Sequence, residues 1–187
     1  MRTGNSVKRT SSADDVETTE RIFLSSAIKR FREYKNLAEK AFGQITEADL
    51  FYQPNEESNS IAIIIQHLHG NMMSRWTDLL TTDGEKEWRQ RDAEFEIQKL
   101  SKEEILIRWQ QGWSCFLGAL ETLSESDLQK IIHIRKEPLT VIDAINRQLA
   151  HYSYHIGQII YVARIIKNVA WETLSIPKNK SREFKTP

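Results

Sequence analysis

The chain has 187 residues, enough for one domain with a single sizeable core. Lys plus Arg and Asp plus Glu both number 26, so the formal net charge is zero, which argues against a general nucleic-acid binder. No apolar run reaches the roughly 20 residues that cross a bilayer, the polar N-terminus lacks the apolar segment of a secretory signal, and the lone cysteine, Cys115, cannot close an intrachain disulfide; a cytoplasmic protein with no membrane partner is expected.

Residues 1–15 are rich in Ser, Thr, Asn and charge and read as a mobile tail. One domain is expected over 16–180, and residues 181–187 read as a polar C-terminal tail. The first helix is predicted over 17–42, where Ile22, Leu24, Ile28, Phe31, Leu37 and Ala41 follow helical spacing and Gly43 suits the end. The linker 46–59 holds Pro54 and several capping residues, with 49–52 a candidate short turn. A second helix is predicted over 60–80, its apolar arc formed by Ile61, Ile64, Leu68, Met72 and Leu79, with Asp83-Gly84 marking a turn after it. The connection 81–99 is long and carries Trp88, Phe95, Arg89 and Arg91; such connections serve as lids or pack on the core. A capping box, Ser101 with Glu104, opens the third helix, which continues through Trp109, Trp113, Phe116 and Leu120. Cys115 lies in this apolar stretch and reads as a small core residue rather than a nucleophile. Residues 130–135 alternate weakly, as a short extended piece ended by Pro138. The last helix is predicted over 140–168. Four long amphipathic helices with almost no strand signal indicate an all-α, antiparallel four-helix bundle.

His151 and His155 stand four residues apart on the last helix, so their Cβ atoms share one face roughly 5–6 Å apart. Two imidazoles so placed can share a metal, with metal–nitrogen bonds of about 2.0–2.1 Å for zinc. The pair sits on the shoulder of the apolar face set by Ile145, Tyr152, Ile156 and Ala163, where a bundle builds its metal sites. On the second helix His67, Asn71, Ser74 and Asp78 form a matching stripe, and His67 is placed to supply a third nitrogen. Three protein ligands leave a coordination position for water or substrate. A His pair at this spacing is by itself a weak signal, and 151–155 lacks the Glu that follows the first His in zinc proteases, which disfavours that chemistry. His69 falls on the other side of its helix from His67, and His133 lies in an irregular stretch; both read as structural or exposed.

The segment His151-Tyr152-Ser153-Tyr154-His155-Ile156-Gly157-Gln158-Ile159 resembles the last-helix motif of the DinB-like superfamily, and Gln66-His67-Leu68 is similar to its second-helix motif. The stretches 70–78, 83–85 and 91–92 resemble one branch of that superfamily, a bacterial domain of unknown function; the likeness spans about 17–180. The resemblance implies a divalent metal on His67, His151 and His155, with nickel or zinc the leading candidates and iron or manganese behind them. It also implies a homodimer. Relatives of this kind include transferases of low-molecular-weight thiols and proteins without assigned activity.

Two function classes follow. One is a metal-dependent enzyme acting on a small-molecule substrate, with thiol transfer ahead of hydrolysis, because a metal-bound thiol is deprotonated outright. Arg75, Arg89 or Arg91 would then be candidates to grip a carboxylate of the thiol, against an ordinary ion-paired role for each. Asn71 and Asp78 are candidates to orient water or a ring, against capping or surface roles. The other class is a non-catalytic metal- or ligand-binding protein, in which the five tryptophans line a pocket rather than the core.

Overall fold

The structure, a computed structural model, describes residues 17–96 and 99–183. The predicted N-terminal tail, 1–15, lies outside the described residues, as do 184–187 of the predicted C-terminal tail. The chain is mostly helical: α1 (Thr19–Phe42), a short α2 (Glu47–Phe51), α3 (Ile61–Trp76), α4 (Lys102–Thr122) and α5 (Val141–Lys167). Each long helix starts where a side-chain oxygen accepts an N–H of the first turn: Thr18 for α1, Ser60 for α3, Ser101 for α4 and Thr140 for α5. The predicted capping box of Ser101 with Glu104 is present, and a second box, Thr46 with Asp49, starts α2 where a short turn was expected. Among the described residues no helix is long and apolar enough to cross a membrane.

α1 packs on α5 and α4, and α3 packs on α4 and α5. Aromatic rings tie these helices together. Phe31 of α1 meets Phe116 of α4 edge-on at 4.5 Å between ring centres, Phe116 meets Trp76 of α3 at 4.7 Å, and Phe116 meets Tyr152 of α5 at 5.1 Å. Trp76, Trp109 and Trp113 are therefore core residues, whereas Trp88 is exposed. Cys115 is half-buried, its Sγ 3.5 Å from Thr77 Oγ1. α3 is the central element. Nearly all its residues are buried, polar Gln66, His67, Asn71, Ser74 and Arg75 among them, rather than one arc only. A helix covered on every side must satisfy each polar group from its neighbours. Gly112 lets α4 come close: a Cβ there would sit 3.2 Å from the His69 Cα and 3.1 Å from the Met72 Sδ.

Two expectations need correction. The second long helix ends at Trp76, not near residue 80. Thr77 is extended and Asp78 has φ 51°, which no helix can continue through. The break turns the chain back so that Gly84 O accepts from Ser74 Oγ and Arg75 Nη1, both at 2.7 Å. The extended piece expected over 130–135 is present as β1 (Ile131–Ile134), but Pro138 does not end it: that residue lies opposite His133 inside a second strand, β2 (Glu137–Thr140), which pairs antiparallel with β1 as a hairpin in an otherwise helical chain. Its turn residues, Arg135 and Lys136, both have positive φ, 57° and 65°, a conformation that glycine and asparagine adopt far more readily. The Asp83 carboxylate holds them there. It accepts the Arg135 N–H at 2.9 Å and the Lys136 N–H at 2.7 Å, and also the Glu85 N–H at 2.7 Å. These bonds hold the Asp83 carboxyl below the usual range, the Glu85 N–H bond foremost.

Asp83→Ala should therefore release the hairpin turn. We expect a loss of about 1–2 kcal/mol, read as a fall in Tm of roughly 2–8 °C for a domain of this size. Adding Lys136→Gly, which relieves the positive φ, should recover part of the loss; an unchanged Tm in the single variant would show that the turn holds itself.

Candidate metal centre

His67 lies in the middle of α3, and His151 and His155 occupy successive turns of α5. The packing of α3 on α5 brings the three rings together. His151 Nε2 is 3.2 Å from His67 Nε2 and 3.2 Å from His155 Nε2, and one nitrogen of each ring lies within 4.8 Å of the other two. Two nitrogens bound tetrahedrally to one ion at about 2.0–2.1 Å stand roughly 3.3 Å apart. The three imidazoles are thus close enough to hold one metal ion.

The partners of the opposite nitrogens aim the rings. His67 Nδ1 donates to Glu94 Oε2 at 3.0 Å, since an ionised carboxylate only accepts. Arg89 grips the same carboxylate twice, Nε to Oε1 at 2.8 Å and Nη2 to Oε2 at 2.9 Å. Burial pushes the Glu94 carboxyl up, but the bonds from His67 and Arg89 outweigh it and hold the group below the usual range. His155 Nδ1 donates to Gln158 Oε1 at 2.8 Å, and His151 Nδ1 faces Gln148 Oε1 at 3.4 Å. A neutral ring so oriented carries its hydrogen on Nδ1 and a lone pair on Nε2, and the three Nε2 atoms converge. Burial, then repulsion from the neighbouring rings, pushes His151 down to about 3. Burial and His67 push His155 down to about 4. Both rings are neutral at pH 7, the form that ligates a metal.

Glu94 belongs to a 3-10 turn, Asp92–Phe95, that packs on α3. Its carboxylate passes directly over Gly70, one turn beyond His67, where any Cβ would collide with Oε1 and Cδ. The Phe95 ring lies 4.7 Å from the His67 ring on the same side. Part of the 81–99 connection is thus built into the site. Below the rings, Tyr152 OH donates to Asn71 Oδ1 at 3.0 Å, a buried bond between α5 and α3. Burial raises that phenol far above its ordinary pKa.

The rings open onto a cleft of about 420 Å³. Arg75 and Arg89 line it but are bound elsewhere, Arg75 to Gly84 O and to Glu85 at 2.9 Å, and Arg89 to Glu94. Of the three arginines considered from the sequence, Arg91 alone is exposed at the cleft. Asn71 holds Tyr152 rather than a histidine ring. Asp78 lies past the end of α3, where its carbonyl accepts from the Thr82 hydroxyl at 3.0 Å. His69 lies on α3 outside the triad, lowered by burial and then by Arg108, and His133 is an exposed residue of β1. Glu94, Gln148 and Gln158 are the residues that sequence reasoning passed over. The two glutamines were findable, three residues before His151 and three after His155, whereas no spacing points to Glu94.

No curated protein matches the chain. The family described as "Protein of unknown function (DUF1572)" matches residues 18–180, nearly the whole sequence, and the chain belongs to that family.

Proposed function

We propose that the chain is a DinB-like four-helix bundle whose His67, His151 and His155 hold one divalent metal ion, and that it is a metal-dependent enzyme joining a small thiol to an electrophile. The observation that carries this reading is the convergence of three Nε2 atoms at metal-ligand spacing while every Nδ1 faces an acceptor. Two neutral imidazoles with lone pairs 3.2 Å apart repel one another unless a cation or proton lies between them. An all-nitrogen donor set suits zinc or nickel, and the cleft leaves room for a substrate atom beside the three rings. Bound there, such an ion acts as a Lewis acid that makes a thiol acidic and nucleophilic at neutral pH. The overall reaction is a substitution: the thiol proton goes to solvent, sulfur bonds to the electrophilic carbon, and the leaving group departs with its bonding pair.

Thiol transfer is favoured over hydrolysis by what lines the cleft. Among the described residues, no Asp or Glu faces it, and Glu94 is engaged by Arg89 and His67. A water nucleophile would therefore lack a free carboxylate to take its proton. A thiol, with an ordinary pKa of about 8–9, needs less help. The homodimer and cytoplasmic location expected from the sequence belong to this same reading.

Three outcomes test it. In protein purified without an affinity tag, elemental analysis should find close to one zinc or nickel per chain, and His67→Ala, His151→Ala or His155→Ala should each strip most of it after dialysis. His69→Ala and His133→Ala should retain it, and full metal content in His155→Ala would refute the assignment. Glu94→Gln and Gly70→Ala both disturb the support of His67, the second by displacing the carboxylate. Each should weaken metal affinity by about 10–100-fold in a chelator competition while leaving the helical circular dichroism intact. Cobalt-substituted protein should develop sulfur-to-metal charge-transfer absorption when a small thiol such as cysteine is added, and cobalt that stays bound with an unchanged spectrum would exclude thiol transfer.

A further inference from the structure

The chain carries equal numbers of acidic and basic residues, yet the walls of the cleft are one-sided. Five arginines line it, Arg75, Arg89, Arg91, Arg135 and Arg147, with no carboxylate among the described residues that do. The acids that compensate them stand behind the walls. Glu94 pairs with Arg89, and Glu85 pairs with both Arg75 and Arg135. Two arginines remain. Among the described residues Arg91 pairs with Asp92 alone, at 3.8 Å with that carboxylate fully exposed, and its guanidinium stands 5.3 Å over the Phe95 ring. Arg147 is exposed, and its side chain makes no ion pair or hydrogen bond among the described residues.

Their positions matter as much as their charge. Arg147 precedes His151 by four residues and His155 by eight, so all three share one stripe of α5. Arg91 enters from the 81–99 connection, close enough for its charge to act on Tyr154 at the mouth. The two guanidiniums thus belong to different elements that border one cleft. A concave site of one sign focuses its field and concentrates ions of the opposite sign. Its volume of about 420 Å³ is that of a small-molecule site.

We infer that the cleft binds a small substrate through a carboxylate or phosphate group held by Arg147, one helical turn before His151, and by Arg91. The inference rests on the reading of this cleft as the substrate site, and extends it by naming an anionic substrate class and the residues that select it. Arg75, Arg89 and Arg135 shape the wall through their carboxylate partners, and among the described residues that line the cleft Arg147 and Arg91 are the two cations left for a ligand. A substrate anchored by its anionic end at Arg147 would reach its reacting atom back toward the Nε2 cluster along α5.

Calorimetric titration of the full chain tests this, using succinate, inorganic phosphate and the neutral succinamide on zinc-loaded and metal-free protein. At least one of the two anions should bind and succinamide should not; the tighter anion identifies the group. Arg147→Gln and Arg91→Gln should each weaken that binding about tenfold or more while retaining the wild-type zinc content. Binding unchanged in both variants, or succinamide binding as tightly as succinate, would overturn the inference. Failure of the metal reading gives a different signature. The wild-type chain would then retain no zinc, while metal-free protein would still bind the anion in a manner lost with Arg147.

Discussion

A single carboxylate, that of Glu94, organises the end of the protein where the three histidines meet. It is buried, so its charge is costly unless paired and fully bonded. Two bonds from Arg89 and one from His67 Nδ1 supply the pairing. The bond to His67 fixes which ring nitrogen is free, and the pair with Arg89 draws residues 89–95 down onto α3. Gly70 is the opening in the α3 surface that admits the carboxylate. Removing Arg89 would leave the buried Glu94 charge without its ion-pair partner, which is more destabilising than the net worth of the pair. The irregular connection is thereby an integral part of the packing around α3.

The same logic operates at the other end of the connection. Asp83 holds the left-handed Arg135-Lys136 turn by accepting their backbone N–H groups, and Glu85 ties Arg75 to Arg135. The hairpin, the end of α3 and residues 83–95 form one polar assembly in which acids stand behind the wall and arginines form its surface. A chain of zero net charge arrives in this way at a cleft of positive sign. Composition alone could not reveal this, because it is a matter of which residues face the cavity and not of how many there are.

Helical periodicity made most of the fold legible. The four long helices and the capping box at Ser101 follow from spacing and cap chemistry, local properties of the chain. His151 and His155 were legible for the same reason, since a repeat of four residues on a helix is a distance in space. Three features were not. The early end of α3 depends on Asp78 adopting positive φ so that Gly84 can reach Ser74 and Arg75, a tertiary demand with no local marker. The hairpin turns on Arg-Lys, residues that lack the usual turn preference and hold their conformation only because Asp83, far away in sequence, binds them. Glu94 stands 27 residues from the histidine it supports, in a segment without periodicity.

The division between helix and connection also bears on how such a site would work. Ligands to a metal must be held within about 0.5 Å of their working positions, and two packed helices joined by the buried Tyr152–Asn71 bond are suited to that. Recognition of a substrate tolerates more movement, and under the proposal part of it would fall to Arg91, on an irregular segment with its guanidinium exposed. Arg147 links the two tasks, since it projects from the same stripe of α5 as His151 and His155. Changes in the 81–99 connection could then alter which anion is accepted while leaving the geometry of the three histidines untouched, provided that Glu94 and Arg89 keep their places. That proviso is strict. The carboxylate that aims His67 and the arginine that lines the cleft lie three residues apart on one short stretch of chain, so binding chemistry and selectivity would be separable by side chain but share a backbone.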